Sequence, residues 1–423
     1  MRIWFCFVTL VIGAFPVYAS DSFSLPVKSG EEVTVNVYPS TFSESNRPLL
    51  IWFTEGYASR KPFNQLISQL NDVGYEFWQV DLLDSYFIER TPNNVRGLTG
   101  EGVAAVLQYA SEQARQQGKN FVPISTGRMS LVLLRGSRLW QLHNDPENGI
   151  GALKQVVTFF PNLFDAPQKA GDAPTLFPIV SATSLPMTIV QPTEGTYKWK
   201  LPVIIDALES SQSQVTIASV LNARDWYFLR SEPTDLEKKE GEKIPDLLKV
   251  WLKAGNVSEQ ITFQPARELV TKEATVSVKG LVPIIERTAH NFELMDVAGN
   301  AIHLKDKRGK VILLNFWASW CPPCVKEIPS MNRLAKSFGA DKFEIVSVNF
   351  KENPLTVATF LKSVQVDFPV LIDLDGKVAN QYEIFAFPSS FIIDAHGQLR
   401  YSVNAAIEWD EPHVKDIIDL MIK

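Results

Sequence analysis

Cysteine is scarce. Three occur in 423 residues, and Cys6 lies inside the apolar N-terminal stretch, so the body of the chain holds only Cys321 and Cys324. That excludes a disulfide-stapled scaffold and leaves two thiols, three residues apart, with no competitor for each other. Histidine is also rare, and His290, His303, His396 and His413 show no ligand spacing. Half of a zinc site built on the cysteine pair therefore finds no second half, and no metal or other cofactor is expected. No basic run interleaved with aromatics occurs and the formal charge is only −6, which gives nucleic acid little support as a partner. No repeat or low-complexity tract stands out. With 45% hydrophobic and 21% charged residues the composition is ordinary globular material, and the length suggests two folded units.

The first residues differ from the rest. Met1 to Ala19 carries one positive residue, Arg2, then an apolar core from Ile3 to Phe15, then Val17-Tyr18-Ala19 with small residues three and one places before a cut. This reads as a cleavable secretory signal over 1–19, with a mature periplasmic chain starting near Ser20; a retained N-terminal membrane anchor is the alternative.

From about residue 20 to 255, short apolar runs alternate with amphipathic ones, the rhythm of a sheet covered by helices on both faces. Strands are expected at Leu49 to Thr54, Glu76 to Asp81, Phe121 to Ser125, Val156 to Phe160, Met187 to Val190 and Val215 to Val220. Helices are expected at Pro62 to Val73, Gly102 to Gln117 and Asp246 to Lys253, stopped by Gly74, Gly118 and Gly255. Residues 256–285 read as a linker with a strand or two of its own. The second unit, 286–423, reads as β-α-β followed by a β-hairpin and a closing helix near Pro412 to Ile422, the order of a thioredoxin-like fold with an extra α/β insertion.

Within that unit, Cys321-Pro322-Pro323-Cys324 stands between the apolar run Val311 to Trp317 and a stretch of helical spacing. Pro323 suits a first helical turn, whose N–H groups have no partner inside the helix. Cys321 then sits at the positive end of the helix, where a thiolate is favoured, and is the expected exposed nucleophile. Cys324, one turn further in and more buried, is placed to resolve a mixed disulfide. An inert structural bridge is the alternative, although a bridge closing so short a loop adds little stability. Two consecutive prolines also remove two backbone N–H donors from the thiolate's surroundings, which points to a reducing pair. A disulfide-forming oxidase, a redox-sensitive binding protein without turnover and a peroxiredoxin-type peroxidase, whose Pro-x-x-x-Thr pattern is absent at the cysteines, stay open as alternatives.

The run Asn315-Phe316-Trp317-Ala318-Ser319-Trp320-Cys321-Pro322-Pro323-Cys324 resembles the signature of the TlpA/ResA family of exported thioredoxin-like thiol–disulfide oxidoreductases. The resemblance covers roughly Ala289 to the C-terminus, about a third of the chain. Pro329 falls where this fold kinks its first helix, Asp367 to Asp373 resembles the family's insertion, and Phe387-Pro388-Ser389-Ser390 resembles the loop holding its cis-proline. The resemblance implies that Pro388 is cis and lies beside the disulfide, and that the backbone of Phe387 pairs with an extended substrate. Relatives usually carry a smaller residue there, so Phe387 alters partner choice. It also implies that Glu327 tunes the cysteines, helping take the proton from Cys324, while the residues alone leave a solvated helix carboxylate equally open. Trp320 joins the apolar docking surface; Trp317 fits docking or core packing equally well. Implied partners are protein disulfides, among them those of apocytochrome c or copper-site proteins, with a membrane thiol carrier as electron donor.

The first unit loosely resembles an α/β-hydrolase, an N-terminal parallel-sheet domain by pattern rather than fingerprint. A nucleophile elbow would follow the Phe121 strand as Gly-x-Ser-x-Gly, yet the chain reads Ile124-Ser125-Thr126-Gly127-Arg128-Met129-Ser130, with glycine at the nucleophile position. His143 is the only histidine in this half, and Asn222-Ala223-Arg224-Asp225 stands where a triad histidine belongs. A non-catalytic scaffold is expected, with Ser125 or Ser130 paired to His143 as the remaining acyl-transfer alternative.

Overall fold

The computed structural model describes residues 21–40, 47–56, 61–143, 153–165, 171–172, 174–254 and 280–422. The expected signal, most of the expected linker and the Gly255 stop lie outside these residues. Two compact units emerge, Met1–Leu163 with Phe177–Thr271, and Phe164–Leu176 with Lys272–Lys423.

The first unit is an eight-stranded sheet. Its strands are β1 (Asp21–Pro26), β2 (Glu32–Tyr38), β3 (Leu49–Phe53), β4 (Phe77–Val80), β5 (Phe121–Thr126), β6 (Val156–Phe159), β9 (Met187–Pro192) and β10 (Val215–Val220), in the order β1-β2-β4-β3-β5-β6-β9-β10. β2 is antiparallel to both of its neighbours, and from β4 onward every pairing is parallel. Helices α1 (Lys61–Asp72), α2 (Leu82–Ser85), α3 (Pro92–Gly97), α4 (Glu101–Gln117), α5 (Met129–His143), α6 (Leu201–Ser210), α7 (Asp235–Glu242) and α8 (Ile244–Ala254) connect them. β3 and β5 are buried along their whole length; β3 is apolar throughout, while β5 ends in the buried Ser125 and Thr126. Gly118 ends α4 in the left-handed conformation that glycine adopts without a Cβ clash.

A short hairpin, β7 (Phe164–Asp165) and β8 (Thr175–Leu176), belongs to the second unit, a departure from the expected boundary. Its Phe164 ring meets that of Phe385 at 6.2 Å, and Arg287 donates to the Gly171 carbonyl, so local pairing rather than chain order decides where the segment resides.

The main sheet of the second unit runs β11 (Val282–Thr288), β18 (Gln398–Val403), β17 (Ser389–Ile393), β14 (Val311–Trp317), β15 (Phe343–Phe350), β16 (Val370–Asp373), with a separate pair β12 (Glu293–Met295) and β13 (Ala301–His303). β14, β15 and β16 are parallel; β17, β18 and β11 are antiparallel to their neighbours. β11 starts inside the stretch read as a linker, because Val282 pairs with Ser402. Helices α9 (Pro322–Ala335), α10 (Pro354–Phe360), α11 (Lys377–Gln381) and α12 (Pro412–Ile422) complete the unit.

Alternation along β14 divides its core. Ile312, Leu314 and Phe316 pack with Tyr382 and Phe391, whereas Val311 and Leu313 pack with Met331, Leu334, Trp409 and Ile418. Asn315 shares the second face, so a polar side chain is delivered beneath α9. Among the described residues no helix is long and apolar enough to cross a membrane.

Candidate active site

β14 ends at Trp317, the chain turns through Ala318-Ser319-Trp320 with the Cys321 N–H donating to Ala318 O at 3.1 Å, and α9 begins. Cys321 is its N-cap, in extended conformation, with Pro322 and Pro323 filling the first helical positions. The first backbone donor that α9 offers is therefore that of Cys324, whose N–H points at Cys321 Sγ at 3.3 Å. The sulfurs are joined at 2.07 Å. Cys321 is 5% exposed and Cys324 1%, so the outer sulfur is recessed rather than exposed as expected; Trp320, Phe387, Val357 and Ile372 form an apolar rim around it.

Glu327 occupies the next turn of α9 and is 1% exposed, which removes the solvated alternative. Its Oε1 accepts from Asn315 Nδ2 at 2.8 Å and its Oε2 from Trp409 Nε1 at 3.1 Å. Asn315 also reaches Ser390 Oγ at 2.9 Å, a contact set by the β14–β17 register that places the two residues opposite each other. Burial pushes the Glu327 carboxyl up to about 7; the bonds from Trp409, Asn315 and the Ile407 backbone pull the other way and offset only part of it. A carboxyl held near neutrality by desolvation and beside a dithiol can accept or return a proton at physiological pH.

Pro388 follows a cis peptide bond. Phe387 meets Trp320 edge-on at 5.9 Å and tilts against Phe350 at 4.9 Å, so these rings line the apolar surface beside the disulfide. Trp317, 2% exposed and packed against Phe360 at 5.5 Å, belongs to the core.

Two residues escaped sequence reasoning. Glu352, 8% exposed, accepts from Ser319 N at 2.7 Å, from Ser319 Oγ at 2.5 Å and from Asn349 Nδ2 at 2.7 Å. It thereby ties the turn before Cys321 to the end of β15. The second is Trp409. Nothing local marks either; the partners of Trp409 lie far upstream in the chain.

The first unit presents a different edge. Gly127 follows β5 with φ +52°, the left-handed turn of an elbow, and a Cβ there would come within 3.0 Å of Trp226. The next side chain is Arg128, paired with Glu55 at 3.3 Å. Ser125 Oγ and Ser130 Oγ bond each other at 3.1 Å, both fully buried. His143 stands at the far end of α5, thirteen residues from Ser130 and so about 20 Å along the axis, against Leu139 O at 2.7 Å and Lys28 Nζ at 2.9 Å. The serine–histidine alternative is thus removed. After β10, Arg224 forms a two-pronged pair with Glu237 at 2.8 and 2.7 Å, and Asp225 accepts from Thr196 N at 2.9 Å.

The model of the AhpC/TSA family matches residues 285–402. ResA, a thiol–disulfide oxidoreductase of Bacillus subtilis (strain 168), is 42% identical over 111 residues, 26% of this chain and 62% of that protein. ResA of Geobacillus kaustophilus (strain HTA426) is 36% identical over 132 residues, 31% of this chain and 76% of that one. The chain spans 62 to 66% of the length of its Bacillus relatives. A solved Chlorobium tepidum protein, assigned as thiol:disulfide interchange protein DsbE, is 31% identical and covers 32% of this chain and 96% of its own, with a TM-score of 0.31. The likeness to ResA over three quarters of the Geobacillus protein falls on the unit that carries the Cys321–Cys324 bond, and through that unit the chain belongs to the ResA family of thiol–disulfide oxidoreductases.

Proposed function

We propose that the chain is an exported thiol–disulfide oxidoreductase that reduces disulfides in partner proteins. The observation that carries this reading is a buried cysteine pair at a helix N-terminus, with a near-neutral carboxyl one turn further along. In the reduced protein the Cys321 thiolate attacks a partner's S–S bond; a mixed disulfide forms and one partner sulfur leaves as thiolate. Cys324 gives up its proton, attacks Cys321 Sγ, and restores the Cys321–Cys324 bond as the second partner sulfur leaves. Two electrons pass to the partner, and a membrane thiol carrier returns them. Glu327 is the acceptor for the Cys324 proton, and the apolar rim of Trp320 and Phe387, beside Pro388, docks the partner's extended backbone.

Direction is supported by the start of α9. With Pro322 and Pro323 in its first turn, the thiolate has one nearby backbone donor, so its stabilisation is weak and the disulfide is the preferred state. The equilibrium potential of the pair tests this: a value below about −200 mV supports a reductant, and one near −120 mV supports a disulfide-forming oxidase instead. A peroxidase is disfavoured because no Pro-x-x-x-Thr pattern precedes Cys321.

For the first unit, a hydrolase-like scaffold without acyl-transfer chemistry is the reading. It is supported by a parallel sheet with one antiparallel strand near its edge, by the Gly127 turn after a central strand, and by the separation of Ser130 from His143. Export is supported by the signal-like pattern of residues 1–19.

A further inference from the structure

Three neighbouring residues just before α12 are fastened to the helix that carries the dithiol. The Trp409 N–H donates to Ser330 Oγ at 3.1 Å, and Ser330 Oγ donates to the Glu327 carbonyl at 2.8 Å. On the outside Arg333 grips Asp410 with two bonds, 2.7 and 3.0 Å, and Glu408 with one at 3.3 Å. Between these two anchors the Trp409 ring is fully buried among Met331, Leu334, Val414 and Ile418. The outcome is a fixed indole whose single donor is spent on Glu327 Oε2 at 3.1 Å. Trp409 lies beyond residues 285–402, the part of the chain matched by the AhpC/TSA family model.

We propose that Trp409 is a positioning residue for the dithiol chemistry: its indole N–H, set against the Asn315 amide on the other oxygen, holds the Glu327 carboxyl in place and through it governs the release of the Cys324 proton. This rests on the role given above to Glu327. The two donors fix both carboxylate oxygens, so the side chain has one orientation in which to meet its neighbour a turn earlier on α9. Both donors are neutral. Facing Glu327 are Asn315 from β14, Ser390 from β17, the Ile407 backbone and Trp409 from the segment before α12, and Cys324 and Ser330 from its own helix. Of these only Cys324 titrates, and only when reduced. Arg333, Glu408 and Asp410 are charged but pair with one another at the surface. The carboxylate is thus stabilised by hydrogen bonds alone, and deleting one of them favours the protonated form.

Trp409→Phe keeps a ring in the apolar cluster and removes only the donor. The carbon-13 resonance of the Glu327 carboxyl, identified by its loss in Glu327→Gln, is titrated in the disulfide form of the full chain. Alongside it, the pH profile of insulin reduction is recorded for wild type, Trp409→Phe, Glu327→Gln and the double variant. The Glu327 midpoint rises by about one unit in Trp409→Phe, the size of a lost bond to a charged group. The activity profile moves the same way, and with Gln at 327 the Trp409 substitution shifts nothing further. An unchanged carboxyl midpoint overturns the proposal, as does a profile shift of the same size in the Glu327→Gln background. Arg333→Gln, which loosens the same segment from the surface, gives a smaller shift in the same direction and serves if Trp409→Phe does not fold. If the wild-type protein reduces no insulin, the functional reading fails, while the carboxyl titration still decides whether Trp409 acts on Glu327.

Discussion

The two units place the same kind of corner at the middle of their sheets, and only one of the corners is armed. In each, a fully buried strand with parallel pairing, β5 or β14, ends in a tight turn that opens a helix, α5 or α9. At the end of β14 the helix begins on a sulfur, and the nearby carboxyl of Glu327 is held by neutral donors. At the end of β5 the turn residue is Gly127, and the nearby carboxyl of Glu55 faces the guanidinium of Arg128. Burial raises both acids, but Arg128 opposes the rise at Glu55 with a full charge, whereas no charge acts on Glu327. The difference teaches that the strand–helix corner supplies a location and a dipole, while the chemistry comes from the few side chains standing on it.

Replacing the armed residue gives the largest effect. Cys321→Ser abolishes insulin reduction, a drop of about a thousandfold or more, while Cys324→Ser accumulates a mixed disulfide visible on non-reducing gels. Ser130→Ala, at the other corner, leaves the rate unchanged. Equal losses from the two substitutions would break the comparison.

Next in size is a pH effect on stability. The Glu327 carboxyl binds its proton more tightly in the folded protein, about 7 against 4.5 in the free side chain, so between these values the folded state holds the extra proton. Stability from this source is complete below about 4.5 and is lost as pH rises through about 7, a change of up to about 3 kcal/mol. Glu327→Gln removes that slope, and thermal unfolding at several pH values between 4 and 8 reads it. A wild-type curve parallel to that of Glu327→Gln would contradict the assignment.

Smaller effects sharpen the contrast further. Gly127→Ala puts a Cβ on a left-handed residue 3.0 Å from Trp226 and costs the first unit about 1–2 kcal/mol, seen in its own urea transition and not in the redox rate. Trp320→Ala strips one ring from the rim and raises KM for a protein disulfide by about fivefold with little change in kcat, the loss of ~1 kcal/mol of aromatic contact. A fall in kcat instead would move Trp320 from docking to chemistry.

Much of this was legible in the sequence where local physics dominates. β14 shows as an apolar run interrupted only by Asn315, α9 as a cysteine and two prolines at a helix start, and α12 runs over the expected Pro412 to Ile422. α5 went unseen because Met129 to Leu134 are buried in succession, with Ser137 and Arg138 buried further along, so no amphipathic stripe marks it. β1 and β2 lack the apolar run by which β3 is read; β2 alternates instead, with Val33 and Val35 buried and Glu32 and Thr34 exposed. The hairpin of Phe164 and Leu176 defies a boundary drawn along the chain. At the site, the cysteines could be named from motif spacing, and Glu327 and Pro388 from the family resemblance. Glu352 and Trp409 could not, since each gains its place from partners that meet it only in three dimensions.

The most direct test is the rate at which the reduced protein transfers its two electrons to insulin, with dithiothreitol supplying the reductant. The account predicts turnover at least about tenfold above dithiothreitol alone, abolished by Cys321→Ser. A rate equal to that of the small thiol, unchanged by the substitution, would contradict it.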